Sequence, residues 1–351
     1  MIGQGFMGRA HSNAFHQVSR FFDIPYDLKM KAICGRDRPR LEAMAAKWGW
    51  ENTDTEWQAI IDRKDVDIVD IVTPNYLHAE IAIGASRAGK IVLCEKPLAR
   101  NLTEATSMVE AAGRGPSLVW FNYRRVPAIA LAKSIVAEGR LGQIYHYRAS
   151  YLQSWGANPS VSGWRFNREN AGSGAVGDLL AHLVDIALLL NGPMSELSAI
   201  THTFAPGREV DDAVLVQARF HNGSIGTFEA SRYAIGRQNQ NVFEIHGSKG
   251  MLRFDLEDLN RLEFFDAQGS PHLQGSANIL VTNPEHPYVG HFWPPGHIIG
   301  YEHTFIATVA DFLTSLYAGH PFHADFADGL KVQRILDAVE KSSERRSWLP
   351  L

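Results

Sequence analysis

The sequence predicts an α/β domain with a doubly wound parallel sheet, followed by an α+β domain with a large, mostly antiparallel sheet. Three observations carry this reading. Short apolar runs alternate with helical stretches across residues 1–122. The glycine-rich turn Gly3-Gln4-Gly5-Phe6-Met7-Gly8 stands at the head of that alternation. Beyond residue 126 the pattern changes to runs of strand propensity separated by turn signals such as His221-Asn222-Gly223. A chain of 351 residues is long enough for two apolar cores, and the change of pattern divides it into residues 1–122 and 123–351.

In the first domain the strand candidates are 31–34, 66–72, 91–94 and 117–121, and the helical stretches are 8–20, 38–48, 55–62, 77–88 and 103–112. Thr103 offers a hydroxyl cap to the last of these helices. A turn of this kind follows a buried strand of about five residues, yet only Met1 and Ile2 precede Gly3. A missing central strand leaves its neighbours with unpaired backbone groups, so a natural start upstream of Met1 is expected. In the second domain a helix at 126–138 leads to a long strand at 143–153, a loop rich in Ser, Gly and Asn, and a helix at 174–190. Strand candidates follow at 196–204, 213–220, 224–231, 241–246 and 251–255. Segment 269–300 has many Pro, His and Gly and reads as a long loop of the functional kind. Helices at 301–317 and 325–343 close the chain.

Composition excludes several classes. With 45% hydrophobic and 21% charged residues the chain is of ordinary globular make-up. A net charge of −4 without a long basic run argues against nucleic acid and anionic membranes as partners. Apolar stretches such as 187–190 fall far short of the roughly 20 residues a bilayer crossing needs. No signal peptide opens the sequence, and Cys34 and Cys94 each sit in an apolar run as core thiols, so a cytoplasmic location is expected. A metal site is not expected: His286, His291, His297 and His303 lie at irregular spacing without an acidic pair on one helix face.

The glycine turn, with Gly3, Gly5 and Gly8 and the intervening Phe6 and Met7, is either a ligand-free tight turn or a cradle for a dinucleotide pyrophosphate at a helix start. The strand–helix alternation that follows favours the cradle, and with it a nicotinamide cofactor in a Rossmann-type domain. At the end of the second strand, where an acidic residue would hold the adenosine ribose, the chain reads Cys34-Gly35-Arg36-Asp37. Gly35 removes the carboxylate, Arg36 offers a partner for a 2′-phosphate and Asp37 argues the other way. NAD and NADP both stay open, with a lean to NADP. Thr73, Pro74, Asn75 and His78 close one parallel strand and open a helix, where Asn75 is either a helix cap or, with its neighbours, a cofactor contact. Glu95-Lys96-Pro97 places a lysine where another parallel strand ends. Beside a nicotinamide it would hydrogen-bond a substrate hydroxyl and stabilise charge developing on that oxygen. In the helix at 174–190, Asp178, His182 and Asp185 follow at spacings that put them on one face. They form either a solvated edge or a general base with a carboxylate to orient it. Trp155, Trp164, Tyr288 and Trp293 lie in loops, as core plugs or as flat faces for a sugar ring.

Taken together, the glycine turn, Thr73-Pro74-Asn75 with His78, Glu95-Lys96-Pro97, Asn122-Tyr123-Arg124, and Gly177-Asp178 followed by His182 resemble the Gfo/Idh/MocA family of oxidoreductases. Further matches resemble its anhydrosugar-oxidising members: Ala10-His11-Ser12, Tyr151-Leu152-Gln153 with Trp155, Trp164-Arg165-Phe166, Phe243 to Gly247, and His286-Pro287-Tyr288. The resemblance implies Lys96, Asp178 and His182 as the catalytic group. It implies Tyr123, Gln153, Trp155 and Arg165 as sugar contacts, and Glu95, Asn122, Trp164 and Arg165 as further cofactor contacts. It implies NAD(P)-dependent oxidation of a ring hydroxyl in a small carbohydrate; independently, a large antiparallel sheet with one uncovered face favours a homodimer or homotetramer. The chain departs from those members in the missing first strand, in Gly35, and in a short segment between Thr203 and Asp211. Two other functions are compatible with such a fold: a glycoside hydrolase that oxidises and re-reduces its substrate, and a cofactor-binding regulator without turnover.

Overall fold

The computed structural model describes residues 1–158 and 160–351. Two compact units are found. The first comprises Met1–Asn122, Glu169–Gly172 and Tyr301–Gln333, and the second Tyr123–Arg168, Ser173–Gly300 and Arg334–Leu351. The division expected at 122/123 therefore omits two later segments that fold with the first unit.

The first unit is built on β1 (Ala32–Cys34), β2 (Asn52–Asp54), β3 (Ile68–Ile71), β4 (Ile91–Cys94) and β5 (Ser117–Val119). The pairs β1–β2, β3–β4 and β4–β5 are parallel. Ile2 bridges Cys34 on one side and Ile71 on the other, both in the parallel sense, so it stands where a central strand belongs. The Ile2 amide donates to Asp70 O (2.7 Å), Val72 N to Ile2 O (2.9 Å), Gly3 N to Cys34 O (2.9 Å) and Cys34 N to Met1 O (2.9 Å). Three residues thus supply the pairing that the flanking strands require. The helix Phe6–Phe21 follows and packs on the helix Tyr301–Ala318. Asp37 caps the helix Arg38–Trp48 by accepting from Arg40 N. The helix Leu102–Ala112 is capped by Asn101, which accepts from Glu104 N at 2.9 Å, and not by Thr103.

The second unit carries β6 (Ile144–Leu152), β7 (Met194–His202), β8 (Ala213–Phe220), β9 (Ile225–Ser231), β10 (Gln240–Gly247), β11 (Gly250–Asp255), β12 (Arg261–Asp266), β13 (Ser276–Leu280) and β14 (Leu349–Pro350). Their order is β13-β12-β11-β10-β6-β9-β8-β7-β14. The sheet is antiparallel except between β6 and β9. Alternate residues of β8 and β9 are buried, the period of a sheet with one covered face. Tyr147, Phe228, Phe243 and Phe254 form an aromatic row in its core, with ring centroids 5.5 to 6.3 Å apart. The helices Pro127–Ala137 and Ala181–Asn191 pack on β11 and β12 and on β6 respectively. Part of the expected long loop is strand: β13 lies within segment 269–300, and its largely exposed residues carry no hydrophobic alternation that sequence reading can detect. Residues Arg168–Asn191 are long and apolar enough by composition to cross a bilayer, but 83% of that window is buried inside the protein, the environment of a core helix.

The approach to this helix is held by Asp211. Its carboxylate accepts from Gly174 N (2.6 Å) and Val176 N (2.8 Å), and its carbonyl accepts from Ala175 N (3.1 Å). Burial pushes the Asp211 carboxyl above its ordinary range, against the lowering effect of these amides. A Cβ on Gly174 would lie 1.7 Å from the Asp211 carbonyl oxygen, so only glycine fits that approach. Gly174→Ala is expected to cost about 3 kcal/mol through overpacking, and Asp211→Ala about 1–3 kcal/mol through orphaned amides. Urea titration of both variants checks this, and wild-type midpoints would refute it.

Candidate functional site

In the first unit the sheet's carboxyl edge gathers the glycine turn, the Thr73–His78 segment and Glu95-Lys96. Gly3 takes φ +126°, and a Cβ there would lie 2.5 Å from Val72 O, so the turn lies tight against the end of β3. At Gly5 a Cβ would meet nothing within 4 Å. Gly5 is also the N-cap of the helix Phe6–Phe21 and brings no capping side chain, so the first-turn amides have no side-chain acceptor from the cap. Gln4 Oε1 and Thr73 Oγ1 are buried without a hydrogen-bond partner nearby. Open backbone amides at the end of a parallel sheet fit a dinucleotide pyrophosphate, the Thr73 hydroxyl can donate to a phosphate oxygen, and Gln4 Oε1 is an acceptor suited to a hydroxyl.

Asn75 does not cap the helix that follows; its amide donates to Ala171 O at 2.9 Å. His78 is fully buried, with Nδ1 3.0 Å from Pro97 O and Nε2 3.1 Å from Thr73 O, so it ties the two loops together. Burial pushes its imidazole below the usual range, outweighing these carbonyls. Asn122 donates to Thr304 Oγ1 at 2.8 Å. The Lys96–Pro97 peptide is cis, and the Lys96 amide donates to Glu95 Oε2 at 3.1 Å.

Behind this edge lies a group of charges that the sequence motifs do not reveal. His11, on the first helix, is fully buried with Nδ1 2.9 Å from Asp70 Oδ2 and Nε2 2.9 Å from Glu95 Oε1. Trp120 Nε1 donates to Asp70 Oδ1 at 2.9 Å, and its ring lies against the imidazole at 3.9 Å between centroids. Burial works against a charged ring here, but the charges and hydrogen bonds of Asp70 and Glu95 outweigh it and lift the imidazole to about 9.

In the second unit Asp178 lies in a π-helical turn, Val176–Leu180, which runs into the helix Ala181–Asn191. The i→i+5 pattern of this turn differs from the α-helical geometry on which the spacing of Asp178, His182 and Asp185 is read. Arg232, 1% exposed, donates to Asp178 Oδ2 at 3.0 Å and to Arg165 O at 3.3 Å. Asp185 is held by Arg124, with Nε at 3.0 Å from both carboxylate oxygens and Nη2 at 2.6 Å from Oδ1. Each carboxylate flanking His182 in sequence is therefore engaged by an arginine. The His182 ring lies against Tyr123 at 4.5 Å between centroids and near Tyr151 at 5.9 Å. From there a polar chain continues: Tyr123 and Tyr151 hydroxyls are 3.0 Å apart, and Asn239 Oδ1 accepts from the Tyr151 hydroxyl (2.7 Å) and from Gln153 Nε2 (2.6 Å). Trp155 Nε1 in turn donates to Gln153 Oε1. The structure thus links Tyr123, Gln153, Trp155 and His182 and adds Asn239. Arg165 stacks on Trp164 at 4.5 Å. Of the loop histidines, His286 Nδ1 accepts from Asn283 N and His297 Nδ1 faces Pro294 O, both within local turns.

Because the His11 imidazole is raised on folding, its contribution to stability is complete below the ordinary histidine value of about 6.5 and is lost as pH rises through about 9. The stability advantage of the wild type over His11→Phe is expected to shrink across that window. Urea midpoints at both ends measure it, and an advantage that stays level or grows would refute the assignment.

Both halves of this geometry match known proteins. Residues 1–123 match the oxidoreductase family's NAD-binding Rossmann fold, and residues 129–253 match the GFO/IDH/MocA C-terminal domain. The chain is 40% identical to levoglucosan dehydrogenase of Pseudarthrobacter phenanthrenivorans, over 99% of this chain and 96% of the relative. The structure of levoglucosan dehydrogenase in complex with NADH and levoglucosan is similar with TM-score 0.97 and 41% identity, covering 99% of this chain and 97% of that one. An oxidoreductase domain protein from Kribbella flavida is similar with TM-score 0.96 and 48% identity over 99% and 97%. The chain belongs to the GFO/IDH/MocA family of oxidoreductases, with an NAD-binding Rossmann domain followed by the family's C-terminal domain.

Proposed function

We propose that the protein is an NAD(P)-dependent dehydrogenase that oxidises a secondary ring hydroxyl of a sugar, anhydrosugar or glycoside. The observation that carries this reading is the near-full-length likeness to levoglucosan dehydrogenase. The polar chain from His182 to Trp155 supports it, since it combines hydrogen-bonding groups with an aromatic face, as a pyranose requires. When bound, the nicotinamide supplies the acceptor for the hydride that leaves the carbinol carbon. In this reading Lys96 holds the hydroxyl oxygen, His182 accepts its proton, and Asp178, braced by Arg232, orients the sugar.

For the cofactor we infer a preference for NADP. A Cβ at position 35 would lie 1.7 Å from Gln4 Oε1, so Gln4 fills the place where an acidic side chain would stand. Asp37 is engaged as a helix cap, while Arg36, Arg38 and Arg40 are all exposed at the same strand end. A homodimer or homotetramer is proposed through the outer face of the nine-stranded sheet, where Ile200, Leu215 and Ile225 are each more than half exposed. The buried thiols Cys34 and Cys94 support a reducing, cytoplasmic setting.

The test is formation of reduced cofactor with a panel of sugars, anhydrosugars and inositols, each supplied with NAD and with NADP. Lys96→Ala and His182→Ala are expected to lower turnover by about 10²-fold or more while leaving cofactor affinity nearly intact. Near-normal turnover in both variants overturns the catalytic assignment, and aglycone release without net reduced cofactor replaces oxidation with hydrolysis. A larger kcat/KM with NAD than with NADP overturns the cofactor preference. Sedimentation of the wild type as a monomer removes the proposed assembly.

A further inference from the structure

We propose that His11 is a positioning residue for Lys96, acting through the Glu95 carboxylate as a charged strap. The proposal rests on the reading of Lys96 as the group that holds the substrate oxygen. Glu95 divides its two oxygens between different tasks. Oε1 faces His11 Nε2 at 2.9 Å, and Oε2 accepts the Lys96 backbone amide at 3.1 Å. The peptide that carries Lys96 is therefore tied, through one carboxylate, to an imidazole on the first helix.

The strap works only while the ring carries both protons. A neutral imidazole has one N–H, so it can donate to Asp70 or to Glu95 and turns a lone pair toward the other. The groups that face the ring are Asp70 of β3, Glu95 beyond β4, Trp120 beyond β5 and Phe305 of the helix Tyr301–Ala318. Of these only the two carboxylates carry charge. Trp120 closes one side of the ring and fixes Asp70 by its indole N–H, so Asp70 holds the imidazole in place while the opposite nitrogen holds Glu95. A buried ion triad is a costly way to fill a core compared with apolar side chains. What this one adds is a fixed anchor for the lysine-bearing peptide. Without the imidazolium, Asp70 and Glu95 lose their shared cation, Glu95 shifts, and the Lys96 amide loses its acceptor.

The test uses the full chain with His11→Gln, Glu95→Gln and His11→Gln/Asp70→Asn, and Lys96→Ala in parallel. Thermal unfolding confirms that each is folded, and Glu95→Gln, which keeps shape and one acceptor oxygen, stands in if His11→Gln does not fold. Two readouts are taken: kcat and KM for the sugar, and, in cofactor-free protein, the rate at which a lysine-directed acylating reagent labels Lys96 relative to the other lysines, read by mass spectrometry. The expected result for His11→Gln is a fall in kcat of about 10-fold or more, the scale of a small misplacement of a reacting group. KM and affinity for the reduced cofactor stay within about 3-fold, labelling of Lys96 alone changes, and Asp70→Asn restores part of the loss because it removes the opposing charge. Wild-type kcat and labelling in the folded variant overturn the proposal, as does an equal loss in kcat, KM and affinity for the reduced cofactor that follows thermal stability. Turnover retained in Lys96→Ala overturns the catalytic reading instead; the labelling readout still decides whether His11 positions Lys96.

Discussion

Withdrawing two carboxylates from water is the constraint on which the first unit depends. Asp70 and Glu95 are 2% and 6% exposed, and a buried carboxylate without compensation costs several kcal/mol. One imidazolium meets both. Since His11 sits on the helix that the glycine turn opens, the same residue couples that helix to β3 and to the Lys96 peptide. Trp120 and Phe305 pack around the ring and exclude water, which strengthens each of these charge contacts. The edge of the sheet is therefore held by side-chain electrostatics as well as by the short strands, of which the central one contributes little more than Ile2.

The second unit solves a similar problem with arginine. Arg232 is almost wholly buried and would be prohibitive alone; Asp178 and the Arg165 carbonyl take Nη2 and Nη1, Nε is left without a partner among the described residues, and Trp155 lies 5.0 Å from its guanidinium. Arg124 does the same for Asp185 with a geometry that takes both carboxylate oxygens. Asp211 then fixes the entry to the helix that carries both acids and His182. Each polar group on the helix thus has a partner from another segment of the unit, and the helix cannot rotate without breaking several charged contacts at once.

Much of this was legible in the sequence where the signal was local. The glycine turn, the strand end before Lys96 and the run containing Asp178 and His182 each declare themselves within about ten residues, through periodicity and turn chemistry. Local rules also explain the misses. Thr103 and Asn101 are both competent caps; the chain uses Asn101, and the Glu104 carboxylate accepts from the Arg100 amide and guanidinium just before the cap. Asn75 has cap chemistry but is used for a carbonyl 96 residues away. Asp211, Arg232, Asn239 and the partners of His11 act over separations of 37, 54, 86 and 59 residues, which no single sequence pattern encodes. One sequence signal was present and not used: Asp70, a charge in the buried strand Ile68–Ile71, which requires a partner in the core.

On the proposed reading the two units divide recognition by kind. At the glycine turn the contacts on offer are backbone amides, because side chains are absent at Gly3, Gly5 and Gly8, and at Gly3 a Cβ would collide with the end of β3. Backbone recognition is insensitive to most substitutions, so such a cradle can persist while the sequence around it changes. The polar chain of Tyr123, Tyr151, Asn239, Gln153 and Trp155 is made of side chains alone, and Asn239 Oδ1 accepts two hydrogen bonds that set the direction of both donors. Changing one member re-aims the others, because an amide or hydroxyl left without its partner must find a new one. On the proposed reading, selectivity for the substrate resides in the second unit, in a network where few substitutions act alone, while the chemistry common to different substrates rests on Lys96, whose peptide is tied to the buried charges through Glu95.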